Sequence, residues 1–164
     1  MQIVKFKDMY LAELQELASV EDQLTEALGR MAQAASHPSL KSALTHHLTE
    51  TQAQKQRLGS ILRKHGAKVN AHSDQAMQAL LEETNKMLAM LKGKDLRDAG
   101  LIASAQKLEH YEIAAYGTAC ALAGELELRD DQRMLHESLA EERNADALLT
   151  RLAKGEVNRD ATAA

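Results

Sequence analysis

Four stretches of this chain carry a seam residue every three or four positions, and each seam is broken near its middle by charged or polar residues. The first reads Leu14, Leu17, Glu21, Leu24, Leu28. Alternating steps of three and four place all five on one face of a helix. The second reads Leu40, Leu44, His47, Thr51, Gln54, Leu58, Ile61, apolar at both ends and polar at the centre, with Glu50 one turn on from His47. In the third, Ile102, Ala105, Glu109, Glu112, Tyr116, Ala119, Ala123, two carboxylates interrupt a face of small residues. The last has two readings: Met134, Ser138, Glu141, Ala145, Leu148, Leu152, or Leu135, Ser138, Glu142, Ala145, Leu149, Leu152. A helix with such a stripe has to bury it against other helices. Four of them specify a bundle.

The remaining residues leave little room for anything but helix. Leu, Ala, Glu, Gln, Lys, Met and Arg dominate, and these are the strong helix formers. Val occurs only at Val4, Val20, Val69 and Val157, and there is no Trp and one Phe, so sheet-forming residues are scarce. Breakers divide the chain. A first helix is expected over about residues 6–34, before Pro38, and a second from about Ser39 to His65, stopped by Gly66. A third, capped by Ser73 or Asp74, ends before Gly93. A fourth spans roughly 96–126 behind Asp95, and a fifth runs from a cap at Asp130 to about Lys154, stopped by Gly155. Gly100 and Gly117 are expected where helices approach closely. The expected fold is all-α, a four-helix bundle with an additional helix in the long crossover between two helix hairpins, which is ferritin-like connectivity. Residues 1–155 form its single domain, and residues 156–164 read as a disordered tail.

The polar interruptions share a height. Helix midpoints fall near residues 20, 52, 110 and 142, and Glu21, His47 with Glu50, Glu109 with Glu112, and Glu141 or Glu142 each lie within about one turn of them, roughly 5 Å. One Glu on an apparent seam is usually an edge residue facing water. Four helices interrupted at one level are a different matter. An isolated ionised carboxylate in an apolar interior costs many kcal/mol and has to protonate or find a partner. No Lys or Arg stands on the seams. Two divalent cations carry a charge that matches four carboxylates, and carboxylate with imidazole suits Fe, Mn or Zn.

Particular segments also resemble a known family. Ser19-Val20-Glu21-Asp22-Gln23-Leu24, His47-Leu48-Thr49-Glu50-Thr51, Glu109-His110-Tyr111-Glu112-Ile113-Ala114-Ala115-Tyr116-Gly117-Thr118, and Glu141-Glu142 followed by Asp146 resemble the YciE/YciF stress-protein family over about residues 5–153. The resemblance implies a ferritin-like fold, a homodimer and a role in bacterial stress responses. The usual ferritin-like di-iron pattern has Glu-x-x-His on two helices. Here the second helix has His47-x-x-Glu50, in reverse order, and the last offers Glu141-x-x-Asn144 without a His.

The expected metal ligands are therefore Glu21, His47, Glu50, Glu109, Glu112 and Glu141, around two divalent ions, Fe or Mn, with peroxide or O2 as the small oxidant. Tyr116, one turn from Glu112, reads first as a core tyrosine with its hydroxyl satisfied locally; the alternative is a hydrogen bond to a ligand carboxylate or the quenching of an oxidising equivalent. The alternative function is a non-catalytic stress dimer whose polar layer holds no metal. A net charge of -4 without a basic tail argues against nucleic acid. The absence of an apolar run of about 18 residues argues against a membrane span. Cys120 is the single cysteine, which fits a reducing cytoplasm.

Overall fold

The computed structural model describes residues 2–163. Its helices are α1 (Phe6–Ala34), α2 (Pro38–Lys64), α3 (Gln75–Met90), α4 (Lys94–Glu125) and α5 (Arg129–Leu152), followed by a π-helical turn over Ala153–Val157 and α6 (Asn158–Ala163). No strand occurs among the described residues, and no helix is long and apolar enough to cross a membrane.

The boundaries have local causes. The Asp8 carboxylate accepts the Val4 and Lys5 amides at 3.2 and 2.9 Å and opens α1. Pro38 stands first in α2, where no amide proton is needed. Gly66, with φ of 67°, turns the chain out of α2. Asp74 caps α3 by accepting the Met77 amide at 2.6 Å. Two caps differ from expectation. α4 begins at Lys94 behind Gly93, whose φ is 87°, so Asp95 sits inside the first turn. Its charge still favours the free amides there. α5 begins at Arg129, one residue before the expected cap.

α1 pairs with α2 and α4 with α5; α1 also packs on α4, and α2 on α5. Two contacts fix the direction of each helix. Asp98, early in α4, accepts the amides of Ser36 and His37 in the α1–α2 turn at 2.8 and 2.7 Å. Asp131, early in α5, takes Lys64 at the end of α2, at 2.8 Å. So α4 starts at the end of the bundle where α2 starts, and the two run the same way. The link between them has to climb the whole bundle. α3 has 16 residues, about 24 Å of helix at 1.5 Å per residue, and lies along α1 and α4. This is the ferritin-like bundle with a helix in the long crossover. Gly100 permits the close approach expected of it: a Cβ there would lie 2.2 Å from Leu91 Cδ1. Gly117 does not, since nothing stands within 4 Å of the same position.

The helix does not stop at Gly155. Of residues 156–164, read from sequence as a disordered tail, 156–163 are helical and 164 lies outside the described residues; Val157 is buried with Leu149 and Ala153 against α4. The π-helical turn supplies the shift in register that brings Val157 inward. His37 Nε2 meets Glu156 Oε2 at 3.0 Å and ties this segment to the α1–α2 turn.

The apolar core is divided in two. One cluster, around Leu24, Leu28, Leu44, Leu101, Ile102 and Leu149, fills the end nearest the α1–α2 turn. The other, around Tyr10, Leu14, Leu58, Ile61, Tyr116 and Leu135, fills the opposite end. Between them lies a layer of polar side chains.

Candidate metal centre

All four long helices feed this layer. α1 supplies Glu21, α2 supplies His47, Thr51 and Gln54, α4 supplies Glu109 and Glu112, and α5 supplies Glu142, all of them buried. Each occupies a seam position whose neighbours one turn away on either side face the core. The helix period that buries the leucines therefore buries these groups too.

One ligand atom each from His47, Glu109, Glu112 and Glu142 lies within 4.8 Å of the other three. His47 Nε2 is 3.0 Å from Glu109 Oε2 and 3.4 Å from Glu142 Oε2. These contacts are close, yet His47 Nε2, Glu109 Oε2 and Glu142 Oε2 all lack a hydrogen bond of proper direction. The atoms approach one another without pointing at one another, as donors around a shared cation do. Both oxygens of Glu112, Oε2 of Glu21, Thr51 Oγ1 and Gln54 Oε1 are also buried without a partner. Each such atom costs about 1–3 kcal/mol if nothing satisfies it. A cation would satisfy the free oxygens of Glu109, Glu112 and Glu142 at once, and with His47 their donor set fits one. Imidazole with carboxylates is ligand chemistry that suits Fe, Mn or Zn.

The electrostatics lead to the same place. Burial, reinforced by the nearby Glu142 carboxylate, pushes Glu21 and Glu112 well above the usual carboxylate range. Burial pushes Glu109 up to about 8, against the pull of His47. Burial also disfavours a charged His47, but Glu109 and the other carboxylates around it override that and raise its pKa. Glu142 is the exception: burial would raise it, and contacts with His47 and Gln54 hold it below the ordinary value. Four carboxyl groups this close in a low-dielectric layer cannot all ionise without added positive charge.

Of the residues read from sequence as ligands, Glu21, His47, Glu109 and Glu112 meet in the layer. Glu50 and Glu141 do not. The Glu50 side chain is 22% exposed and bonds His47 Nδ1 and His46 Nε2, both at 3.3 Å. Glu141 is turned outward and held by Arg57, Nη1 to Oε2 at 2.6 Å and Nη2 to Oε1 at 2.8 Å. Glu142 takes the inward place. The two readings of α5 differ by one position, and the helix buries Leu135, Leu139 and Leu149 while Met134 and Leu148 stay half-buried. That choice carries Glu142 in and Glu141 out.

Further polar groups meet partners remote in sequence. Tyr116 is not satisfied locally: its hydroxyl donates to Glu21 Oε1 across the α1–α4 contact. Gln54 stood on the seam but drew no attention because an amide is neutral; here its amide nitrogen bonds both Glu141 and Glu142. At the far end of the bundle, buried Asp131 accepts Tyr10 Oη at 3.2 Å, Lys64 Nζ at 2.8 Å and His65 Nε2 at 2.6 Å. No local spacing announces that cluster, since Tyr10 and Asp131 are 121 residues apart.

Residues 5–162 match the family described as a domain of unknown function, DUF892. Over 162 residues the chain is 39% identical to Protein YciF of Escherichia coli K12, covering 98% of each. The chain belongs to this YciF-like family. Solved structures agree with that membership. The YciF-like chain superposes on the crystal structure of the E. coli stress protein YciF with a TM-score of 0.89 at 39% identity, covering 95% of this chain and 99% of that one. It superposes on YcfI of Rhodopseudomonas palustris with a TM-score of 0.88 at 37% identity, covering 91% and 95%. A protein of Xanthomonas campestris, at 16% identity and a TM-score of 0.78, shares the fold alone.

Proposed function

We propose that this YciF-like stress protein holds a dinuclear centre of Fe or Mn in its polar layer and acts there on peroxide or O2. The observation that carries the reading is the convergence of His47, Glu109, Glu112 and Glu142, with buried oxygens that have no partner. These four would hold the first ion. Glu21, whose Oε2 is also free, is the carboxylate that a second ion calls for. Glu21, Glu109, Glu112 and Glu142 together balance two divalent charges.

When bound, the ions would supply the redox chemistry and a Lewis-acidic position for the oxidant. The chain's own residues do the rest. Tyr116 holds Glu21 through Oε1 and leaves Oε2 free. Glu50 holds the far nitrogen of His47, which sets the ring with Nε2 inward. The apolar clusters on either side keep bulk water out of the layer.

The test is elemental analysis of protein produced with Fe or Mn supplied, followed by peroxide consumption. About two ions per chain and turnover lost with His47→Ala support the reading. Substoichiometric metal in every preparation ends it. Homodimerisation and a cytoplasmic setting, implied by the family resemblance and the lone Cys120, belong to the same proposal, and sedimentation measures the first.

A second reading has its own observation. With Glu21, Glu109 and Glu112 all pushed toward the neutral form, carboxyls can hydrogen-bond one another without metal, and the R. palustris relative is described as a structural protein. On that reading Glu112→Gln leaves thermal stability unchanged or raises it.

A further inference from the structure

Between α2 and α5 a chain of hydrogen bonds joins the layer to the edge of the bundle. Gln54 is fully buried, and its amide nitrogen reaches Glu142 Oε1 and, at 3.0 Å, Glu141 Oε2. Glu141 in turn lies in the fork of Arg57, whose Nη1 also meets Ser138 Oγ at 3.2 Å and whose Nη2 meets Glu137 Oε1 at 2.7 Å. A planar guanidinium gripping a carboxylate at two points fixes its orientation as well as its place. The chain of contacts thus runs Arg57, Glu141, Gln54, Glu142, from the edge of the bundle to its centre.

The consequence falls on Glu142. One of its oxygens is spent on the amide of Gln54, and the other, Oε2, is unpartnered and 3.4 Å from His47 Nε2. Glu112 differs: both of its oxygens are unpartnered. We infer that Arg57 and Gln54 are positioning residues that make Glu142 a one-oxygen donor aimed beside His47, and so set the affinity and geometry of the ion bound there. The inference rests on the metal reading above and names a control on that same site. It also gives Glu141 a part: its carboxylate couples Arg57 to Gln54.

Lysine at position 57 keeps the charge and loses the fork. Leucine at position 54 keeps much of the volume and loses the amide. Full-length wild type, Arg57→Lys and Gln54→Leu are titrated with Co2+, following the visible absorption of the bound ion and its affinity by competition with a chelator; thermal melting of the metal-free proteins is recorded alongside. Both variants should bind Co2+ about 10–100-fold more weakly and shift the visible bands, since the coordination of Glu142 changes. A role confined to packing would move melting temperature and leave the bands in place. Wild-type affinity and bands in both variants overturn the inference while the metal reading stands. No Co2+ bound by any of the three, wild type included, overturns both.

Discussion

Tyr116 and Glu21 show how much depends on single hydrogen bonds in this layer. The Glu21 carboxyl is completely buried, and the Tyr116 hydroxyl is the one donor it has among the described residues. Tyr116→Phe leaves both oxygens without a partner. The expected loss in the metal-free protein is about 1–3 kcal/mol, measured by urea unfolding. Asp131 makes a separate case at the bundle end. Burial would raise its pKa, but Lys64 and His65 override that and hold it below the usual carboxylate range. A group whose folded pKa is depressed contributes stability above its unfolded pKa, about 3.9, and loses it as pH falls through the lower folded value. Asp131→Asn is therefore expected to destabilise near neutral pH, and its deficit relative to wild type should shrink below about pH 4. Melting temperatures of the two proteins from pH 3 to 8 check this.

At the scale of the element, α4 carries the heaviest load. It contributes Glu109, Glu112 and Tyr116 to the layer and contacts α1, α3, α5 and the terminal helical segment. Its glycines do different things. Gly100 admits Leu91 where the chain leaves α3, and a methyl group there meets that side chain. Gly117 faces open space. Gly117→Ala should raise stability by about 0.5–1 kcal/mol, because alanine restricts the unfolded chain and meets nothing in the folded one; denaturant unfolding reads the difference. The polar layer also explains why α2 tolerates Thr51 and Gln54 in a fully buried stripe. Both stand in the polar layer rather than in either apolar cluster, and Gln54 donates there to Glu141 and Glu142.

At the scale of the molecule, two apolar clusters press a polar layer between them, so a metal held there, as proposed, would be linked to folding. A ligand that binds only the folded state stabilises it by about 2.7 kcal/mol at a concentration one hundred times its Kd. Mn2+ or Fe2+ should raise the melting temperature of the wild type, and a chelator should reverse the rise. His47→Ala and Glu112→Gln should show no rise. Scanning calorimetry with and without metal decides it, and equal shifts in all three proteins would argue for nonspecific surface binding.

The all-helical class, the four long helices and the polar interruption of each seam are local properties, written in the spacing of residues such as Leu14, Glu21 and Leu28. Helix period and helix propensity act over a few residues, so they can be read from the chain alone. So can the crossover helix, because Gly66, Asp74 and Gly93 mark its surroundings. The order of contacts is another matter. Glu141 and Glu142 are adjacent, and both lie near the midpoint; only packing of α5, with its buried Leu135, Leu139 and Leu149, against α4 and α2 decides which carboxylate turns inward. The pull of Arg57 on Glu141, the donation from Tyr116 to Glu21 and the burial of Val157 beyond Gly155 are likewise meetings of groups remote in sequence or facing in space. What an isolated helix prefers is in its sequence. Which of two equivalent charges is buried depends on the dielectric and the partners that surround it, and those exist only once the bundle has closed.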